Sequence, residues 1–213
     1  MARPGYSGLT AVGRSTTVEF ILPAAVIPDM KRRTLLQALL AVPAAVALHV
    51  SLAGARNTEE IDAMRARWNE LLPEGFVPPD PGDPLGLSED EWRGRLSGQA
   101  FTVLRSEGTE PAFTSPLNDE TRRGLFLCAG CDLPLFSSEM KYDSGTGWPS
   151  FFTHIPGTMG TKKDFKLILP RTEYHCVRCG GHQGHVFKDG PPPTNERWCN
   201  NGVALRFLPT DEA

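Results

Sequence analysis

The chain has 213 residues, 40% hydrophobic and 22% charged, with a formal net charge of −3 at neutral pH. That describes an ordinary soluble globular protein with one substantial core, or a core with an appended arm. Residues 1–55 carry five basic and two acidic side chains, so the remainder from Arg56 has a net charge of −6 and gains little from phosphate backbones, which argues against nucleic acid as a partner.

In chain order, residues 1–29 show no sustained period and read as an upstream extension before Met30. Lys31, Arg32 and Arg33 then precede an apolar run from Leu35 to Leu48, and the small residues Ala53-Gly54-Ala55 follow. This is the tripartite pattern of an export signal over 30–55, with cleavage expected after Ala55. The apolar run is shorter than the roughly 20 residues a membrane span needs, so no stable membrane insertion is expected after cleavage. Adjacent arginines before Thr34-Leu35-Leu36 resemble a twin-arginine signal, which exports folded proteins and implies the bacterial periplasm. The competing reading is an N-terminal anchor or buried helix, which would leave the protein cytoplasmic.

Residues 56–87 read as an arm. Ile61, Met64, Trp68, Leu71 and Leu72 have the spacing of an amphipathic helix over 58–72, and the proline-rich stretch 73–87 is an extended connection. Ser88-Glu89-Asp90-Glu91 forms a capping box opening a short helix through Leu96. The folded domain is placed at 88–213. Beyond Gln99, short β-type runs (Phe101–Leu104, Leu125–Leu127, Phe165–Leu169, Val186–Phe187, Val203–Leu208) alternate with Gly, Pro, Asp and Ser clusters, which predicts a mainly β, antiparallel domain.

The five cysteines carry the chemistry. Cys128 and Cys131 form one C-x-x-C pair, and Cys176 and Cys179 another, 44 residues further on. Two such pairs suit a structural zinc ion, because each brackets a tight turn that aims both thiolates at one tetrahedral centre. Closing the long loop with a metal also stabilises the fold. Two disulfides or an iron–sulfur cluster are the competing readings. Cys199 is left alone, with Arg197 two residues before it and Asn201 two after, hence on one strand face. His182 and His185 lie upstream in a glycine-rich G-G-H-Q-G-H stretch. A Cys–His constellation suits covalent catalysis, but spacing alone leaves an inert packing cysteine and structural or metal-binding histidines open. His175, beside a paired cysteine, is read as structural.

The segment Arg171–Phe207 resembles the methionine sulfoxide reductase B family, the peptide-methionine (R)-S-oxide reductases. The matching blocks are R-T-E before the second C-x-x-C, G-G-H-Q-G-H-V-F (Gly180–Phe187), D-G-P (Asp189–Pro191), P-T (Pro193–Thr194) and R-W-C-N-N…L-R-F (Arg197–Phe207). Upstream, Tyr142–Phe151 (Y-D-S-G-T-G-W-P-S-F) and Gly108-Thr109-Glu110 match as well, so the resemblance runs in order from Ser88 to Leu208. It implies two antiparallel sheets forming a barrel-like core, a four-cysteine zinc site and N-terminal helices. By the same resemblance Cys199, His182, His185 and Asn201 are catalytic, Trp148 is the aromatic wall for the substrate methyl group, and Arg197 and Asp189 assist by orienting the histidines and stabilising charge. The implied substrate is methionine sulfoxide, free or in oxidised proteins, and the implied route passes through a Cys199 sulfenic acid. One family position for a recycling cysteine is occupied here by Thr146, so a thioredoxin-like or other external thiol is the implied reductant. Trp198, Gly202, Gln183 and Lys188 depart from the usual tyrosine, serine, leucine and acidic residue. The rival reading is a catalytically silent zinc-binding interaction module of related fold.

Overall fold

The structure is a computed structural model that describes residues 58–166 and 170–210. The expected upstream extension and export signal lie outside those residues. Helix α1 spans 58–66, and after a turn at Arg67 the chain tightens into a 3-10 turn, Trp68–Leu71. The helix expected over 58–72 ends early because Pro73 has no N–H to bond back to Asn69 and disfavours a helical Leu72; Leu72 N–H takes the Asn69 carbonyl instead, at 3.2 Å. Ile61 and Leu71 are buried, and Met64, Trp68 and Leu72 pack half-buried beside them.

Helix α2 (Glu89–Arg95) opens on the expected capping box: Ser88 N–H donates to Glu91 Oε2 at 2.8 Å, and Glu91 N–H returns to Ser88 Oγ at 3.4 Å. The run Phe101–Leu104 is not a strand. It lies in α3 (Gly98–Ser106), capped by Ser97 Oγ, which accepts from Ala100 N–H at 3.2 Å. Ala100, Phe101, Val103 and Leu104 bury one helical face, and Glu107 ends the helix in the left-handed region. Local β propensity yields here to the cap and to helical burial.

Two antiparallel sheets follow. The smaller has the order β2–β1–β9, from β1 (Gly124–Cys128), β2 (Pro134–Ser137) and β9 (Leu205–Pro209). The larger has the order β3–β4–β8–β7–β6–β5, from β3 (Lys141–Tyr142), β4 (Ser150–Phe151), β5 (Met159–Asp164), β6 (Arg171–Cys176), β7 (His182–Phe187) and β8 (Arg197–Asn200). Val203 belongs to a 3-10 turn, Gly202–Ala204, ahead of β9. Phe165 and Lys166 have no regular structure, and 167–169 lie outside the described residues.

The sheets do not close into a barrel, which corrects the barrel-like expectation. Between β2 and β3 the chain makes a 3-10 turn, Ser138–Met140, and among the described residues no strand ladder joins the two sheets, only isolated backbone bonds such as Phe152 N–H to Met140 O at 3.0 Å. The sheets associate through aromatic packing instead. Phe136 stacks on Phe151 at 3.9 Å between ring centroids, Phe126 meets Phe151 edge-on at 5.0 Å, and Tyr174 bridges Phe136 and Trp198.

The feature that positions the site is a bulge in β7. Its pairing with β6 runs Glu173 opposite His185 and Tyr174 opposite Gly184, then jumps to His175 opposite His182. In a regular strand residues three apart face opposite ways, whereas one unpaired residue, Gln183, brings His182 and His185 to the same side. On its other edge β7 sets His185 opposite Cys199. Gly184 is required there, since a Cβ would stand 1.9 Å from the Cys199 carbonyl oxygen.

Candidate active site and metal centre

The four paired cysteines converge. All four sulfurs lie within 4.8 Å of one another, and the closest contacts run across the pairs: Cys128 to Cys179 at 3.6 Å and Cys131 to Cys176 at 3.5 Å. These separations exceed a disulfide bond of about 2.05 Å and match the edges of roughly 3.8 Å of a tetrahedron with ~2.3 Å metal–sulfur bonds. All four are free and buried. The donor set therefore fits a metal ion of zinc type, and four protein thiolates leave no position for substrate. Arg95 donates to Gly130 O at 2.8 Å and Arg105 to Cys179 O at 2.8 Å, fastening the helices to the two metal turns.

Gln183, fully buried on the β7 bulge, joins this centre to the strand that carries Cys199. Its Nε2 donates to Cys128 Sγ at 3.3 Å, and its Oε1 accepts from Asn200 Nδ2 at 3.3 Å. Asn200 in turn accepts from the Tyr174 hydroxyl at 2.7 Å. Outer hydrogen bonds of this kind hold metal ligands in orientation.

Cys199 is half-buried beside a cavity of about 210 Å³ lined by Thr109, Trp148, Arg171, His185, Phe187 and Asn201, among others. Burial raises its thiol above the ordinary 9.0, while the nearby Arg197 charge and Thr146 hydroxyl oppose the rise. Arg197 is itself fixed. Its guanidinium grips Asp189 through two bonds of 2.9 and 2.8 Å and lies over the Phe187 ring, 4.3 Å from its centroid. Asp189 thus orients the arginine and makes no bond to a histidine.

The two histidines take different places. His185 reaches the cavity, and its Nε2 meets Asp164 Oδ2 at 2.8 Å; burial lowers its pKa from 6.5 and Asp164 counteracts this. Arg171, at 2.6 Å, and the Lys166 backbone N–H hold Asp164 ionised, below the usual carboxylate range. His182 lies behind it, 3% exposed, with ring centroids 5.5 Å apart. His182 Nδ1 is 3.0 Å from Glu173 Oε1, yet neither ring nitrogen has an aligned hydrogen bond. Lys162 adds a cation 3.3 Å from the same Glu173 oxygen.

Trp148 presents its ring to the cavity while its Nε1 donates to Glu110 O at 3.1 Å. Asn201 also lines it, but its amide is committed to backbone: Nδ2 donates to Gln183 O at 3.0 Å and Oδ1 accepts from Glu110 N–H at 3.0 Å. It locks the bulge and, among the described residues, makes no hydrogen bond to an imidazole. Three functional acids escaped the sequence reading: Asp164, Glu173 and Glu110, whose carboxylate accepts from Gly202 and Val203 N–H. Glu173 and Glu110 sit inside the matched R-T-E and G-T-E blocks, a signal that was available, whereas Asp164 had none.

The departures from the family pattern lie away from the cavity. Trp198 faces the core, with Tyr174 at 4.9 Å and His154 at 4.3 Å between centroids, and its Nε1 bonds Glu196 at 3.0 Å. Lys188 is exposed and pairs with Glu196 at 2.6 Å. At Gly202 the space of a side chain is taken by Ser115 Oγ, 1.8 Å from where a Cβ would stand.

One cysteine outside the tetrad shares a cavity with an imidazole and an indole, on a sheet fastened by the four paired cysteines, an arrangement that suits an oxidoreductase. The SelR domain matches residues 96–209. The chain is 47% identical over 126 residues (59% of this chain, 93% of the relative) to a peptide methionine sulfoxide reductase MsrB of Agrobacterium fabrum, and 48% identical over 125 residues (58% and 94%) to one of Pseudomonas putida. It is 39% identical over 159 residues (74% and 79%) to the chloroplastic peptide methionine sulfoxide reductase B1 of Arabidopsis thaliana. The chain belongs to the methionine sulfoxide reductase B family.

Two outcomes follow from this geometry. Cys128→Ser removes one apex of the tetrad and the Gln183 contact together, so bound metal, measured by emission spectrometry, is expected to fall to near zero and cooperative thermal unfolding to be lost; full metal in a cooperatively folded variant would contradict the assignment. The alkylation rate of Cys199 is expected to rise with pH about a midpoint above 9.0. Arg197→Met, which removes a cation and leaves the Asp189 anion unpaired, should move that midpoint further up.

Proposed function

We propose that the protein reduces methionine (R)-sulfoxide, chiefly within polypeptides, to methionine. The observation that carries this reading is the register of β7 and β8, which sets Cys199 directly across from His185 in the one cavity that Trp148 and Asn201 also line. Trp148 supports the S-methyl group, since aromatic faces and edges suit sulfur and its methyl. Cys199, as thiolate, attacks the sulfoxide sulfur, and protonated His185 delivers a proton to the sulfoxide oxygen, with Asp164 holding its other nitrogen. The net step transfers one oxygen atom to Cys199 and two electrons to the substrate sulfur, giving the thioether and a cysteine sulfenic acid. Two equivalents of an external thiol, or one dithiol of thioredoxin type, then return Cys199 to the thiol with release of water and a disulfide. His182, buried behind His185, positions it and does not meet substrate.

In this reading the tetrad Cys128, Cys131, Cys176 and Cys179 holds one zinc ion per chain, and its contribution is to the fold. We further read residues 30–55 as an export signal of twin-arginine type, so that the mature enzyme works outside the cytoplasm, in a bacterial periplasm. Among the described residues, no helix is long and apolar enough to cross a membrane.

An epimer-resolved assay on protein beginning at Arg56, with a dithiol as reductant, tests the reaction. Turnover of the R epimer alone is expected, with Cys199→Ser inactive but folded and His185→Gln slower by about 100-fold, the scale of a lost acid–base group. Equal turnover of the S epimer, or activity surviving in Cys199→Ser, would sink the proposal. Expression of the full chain in a bacterium with the twin-arginine pathway should yield periplasmic protein whose N-terminus is Arg56; cytoplasmic protein retaining Met30–Ala55 would refute export.

A further inference from the structure

A second and larger groove adjoins the cavity. It has a volume of about 650 Å³ and is bordered by Phe113, Asp119, Glu120, Lys141, Asp143 and Trp148, among others. Trp148 lines both spaces, so the groove borders the cavity across one side chain, beside the place where, on the proposed reading, the oxidised sulfur is held. A free amino acid would leave it unused.

The rim is built to display an aromatic ring. Phe113 is 74% exposed, one of only three large apolar side chains so placed among the described residues. Its backbone is left-handed (φ 64°), a costly conformation for an aromatic residue. Two bonds to one carbonyl hold it there: Phe113 N–H donates to Gly147 O at 2.7 Å, and Asn118 Nδ2 donates to the same oxygen at 3.1 Å. Gly147 is obligatory beneath it, with φ 89° and a Cβ position 2.8 Å from the phenylalanine ring. Strain kept on a residue whose ring faces solvent points to a use for that ring.

The groove also has a charge preference. Three carboxylates, of Asp119, Glu120 and Asp143, outnumber one ammonium, of Lys141, whose Nζ also donates to Asn118 O at 2.7 Å. Glu120 is neutralised by Arg122 at 2.6 Å, and Asp143 accepts from Gly145 N–H at 2.8 Å. Asp119 is exposed and makes no side-chain hydrogen bond or ion pair among the described residues, so its charge is available to a ligand.

We propose that this groove binds the polypeptide flanking an oxidised methionine, with Phe113 packing on an apolar or aliphatic portion of a neighbouring side chain and Asp119 favouring lysine or arginine there. The inference rests on the reductase reading and adds to it a specificity site outside the sulfoxide cavity.

The test compares N-acetyl-methionine (R)-sulfoxide amide with two heptapeptides carrying a central methionine (R)-sulfoxide, flanked on both sides by lysine in one and glutamate in the other. The native protein should turn over the lysine peptide with a higher kcat/KM than the glutamate peptide. Phe113→Ala should lower kcat/KM for both peptides about fivefold, the worth of one aromatic contact, and leave the blocked amino acid unchanged. Asp119→Lys should invert the lysine–glutamate preference. Equal use of the two peptides by the native protein, or an equal effect of Phe113→Ala on peptide and blocked amino acid, would overturn the groove while leaving the reductase reading intact. Binding of the reduced lysine peptide to Cys199→Ser, measured by calorimetry, separates the two further: it should weaken in Cys199→Ser with Phe113→Ala whether or not turnover occurs, and unchanged binding would refute the groove on its own.

Discussion

The catalytic geometry depends on one unpaired residue in β7. Were Gln183 paired as a regular strand residue, His182 and His185, three apart, would face opposite sides of the sheet, and only one could share a side with Cys199. A bulge is locally unfavourable because it interrupts a ladder, so something must hold it. The Gln183 carbonyl accepts from the backbone of Asn201 at 2.9 Å and from its side chain at 3.0 Å. The Gln183 side chain is pinned between a metal-site sulfur and Asn200. The sulfur tetrad draws the turns after β1 and after β6 to one point, and the second of these turns leads directly into the bulge. Fastening the metal turns therefore fixes where the site strand begins, although no ligand of the tetrad approaches the cavity.

The electrostatics of the site widen the ordinary gap between the Cys199 thiol and the His185 imidazole. Burial pushes the Cys199 thiol up and the His185 imidazole down, so both tend to neutrality near pH 7. Arg197 and Thr146 limit the rise on the sulfur, and Asp164 limits the fall on the ring. On the proposed route, which begins with a thiolate and an imidazolium, the reacting state is then a minor protonation state, which the incoming sulfoxide would favour by accepting a hydrogen bond from the ring. This arrangement has a chemical advantage. Susceptibility of a thiol to general oxidants follows its thiolate character and exposure. A half-buried neutral sulfur is spared by oxidants that cannot enter the cavity, yet is available to the one sulfoxide that fits it.

What the sequence made legible was local. The two C-x-x-C turns encode convergence of sulfurs through short-range geometry, and Cys199 stood out because the other four cysteines were accounted for. The capping box at Ser88 was legible for the same reason. The supporting acids were not. Asp164 reaches His185 across 21 positions through two strand pairings, and Glu173 meets His182 only because of a bulge that no local pattern announces. The resemblance gave Asp189 a part in orienting the histidines, but on the folded sheet its carboxylate binds the Arg197 guanidinium. Phe101–Leu104 misled because its composition favours strands while its cap and burial favour a helix. Closure of the sheets was likewise beyond reach, since it depends on whether a strand ladder joins them.

The inventory of sulfurs also constrains the order of events. The chain has five cysteines, and the tetrad occupies four. Near Cys199 stands Thr146, whose hydroxyl opposes the rise of the thiol and joins Ser144 at 2.8 Å and, through it, Ser150 at 2.8 Å. A hydroxyl can donate to a sulfenic acid but cannot exchange with it, so on the proposed route no internal disulfide relieves the oxidised enzyme. On that route the reductant has to reach Cys199 in the same cavity that Trp148, Phe187 and Asn201 line. Thioether and thiol would then meet one sulfur at one place, so the repaired methionine departs before the sulfenic acid is met, and substrate and reductant alternate.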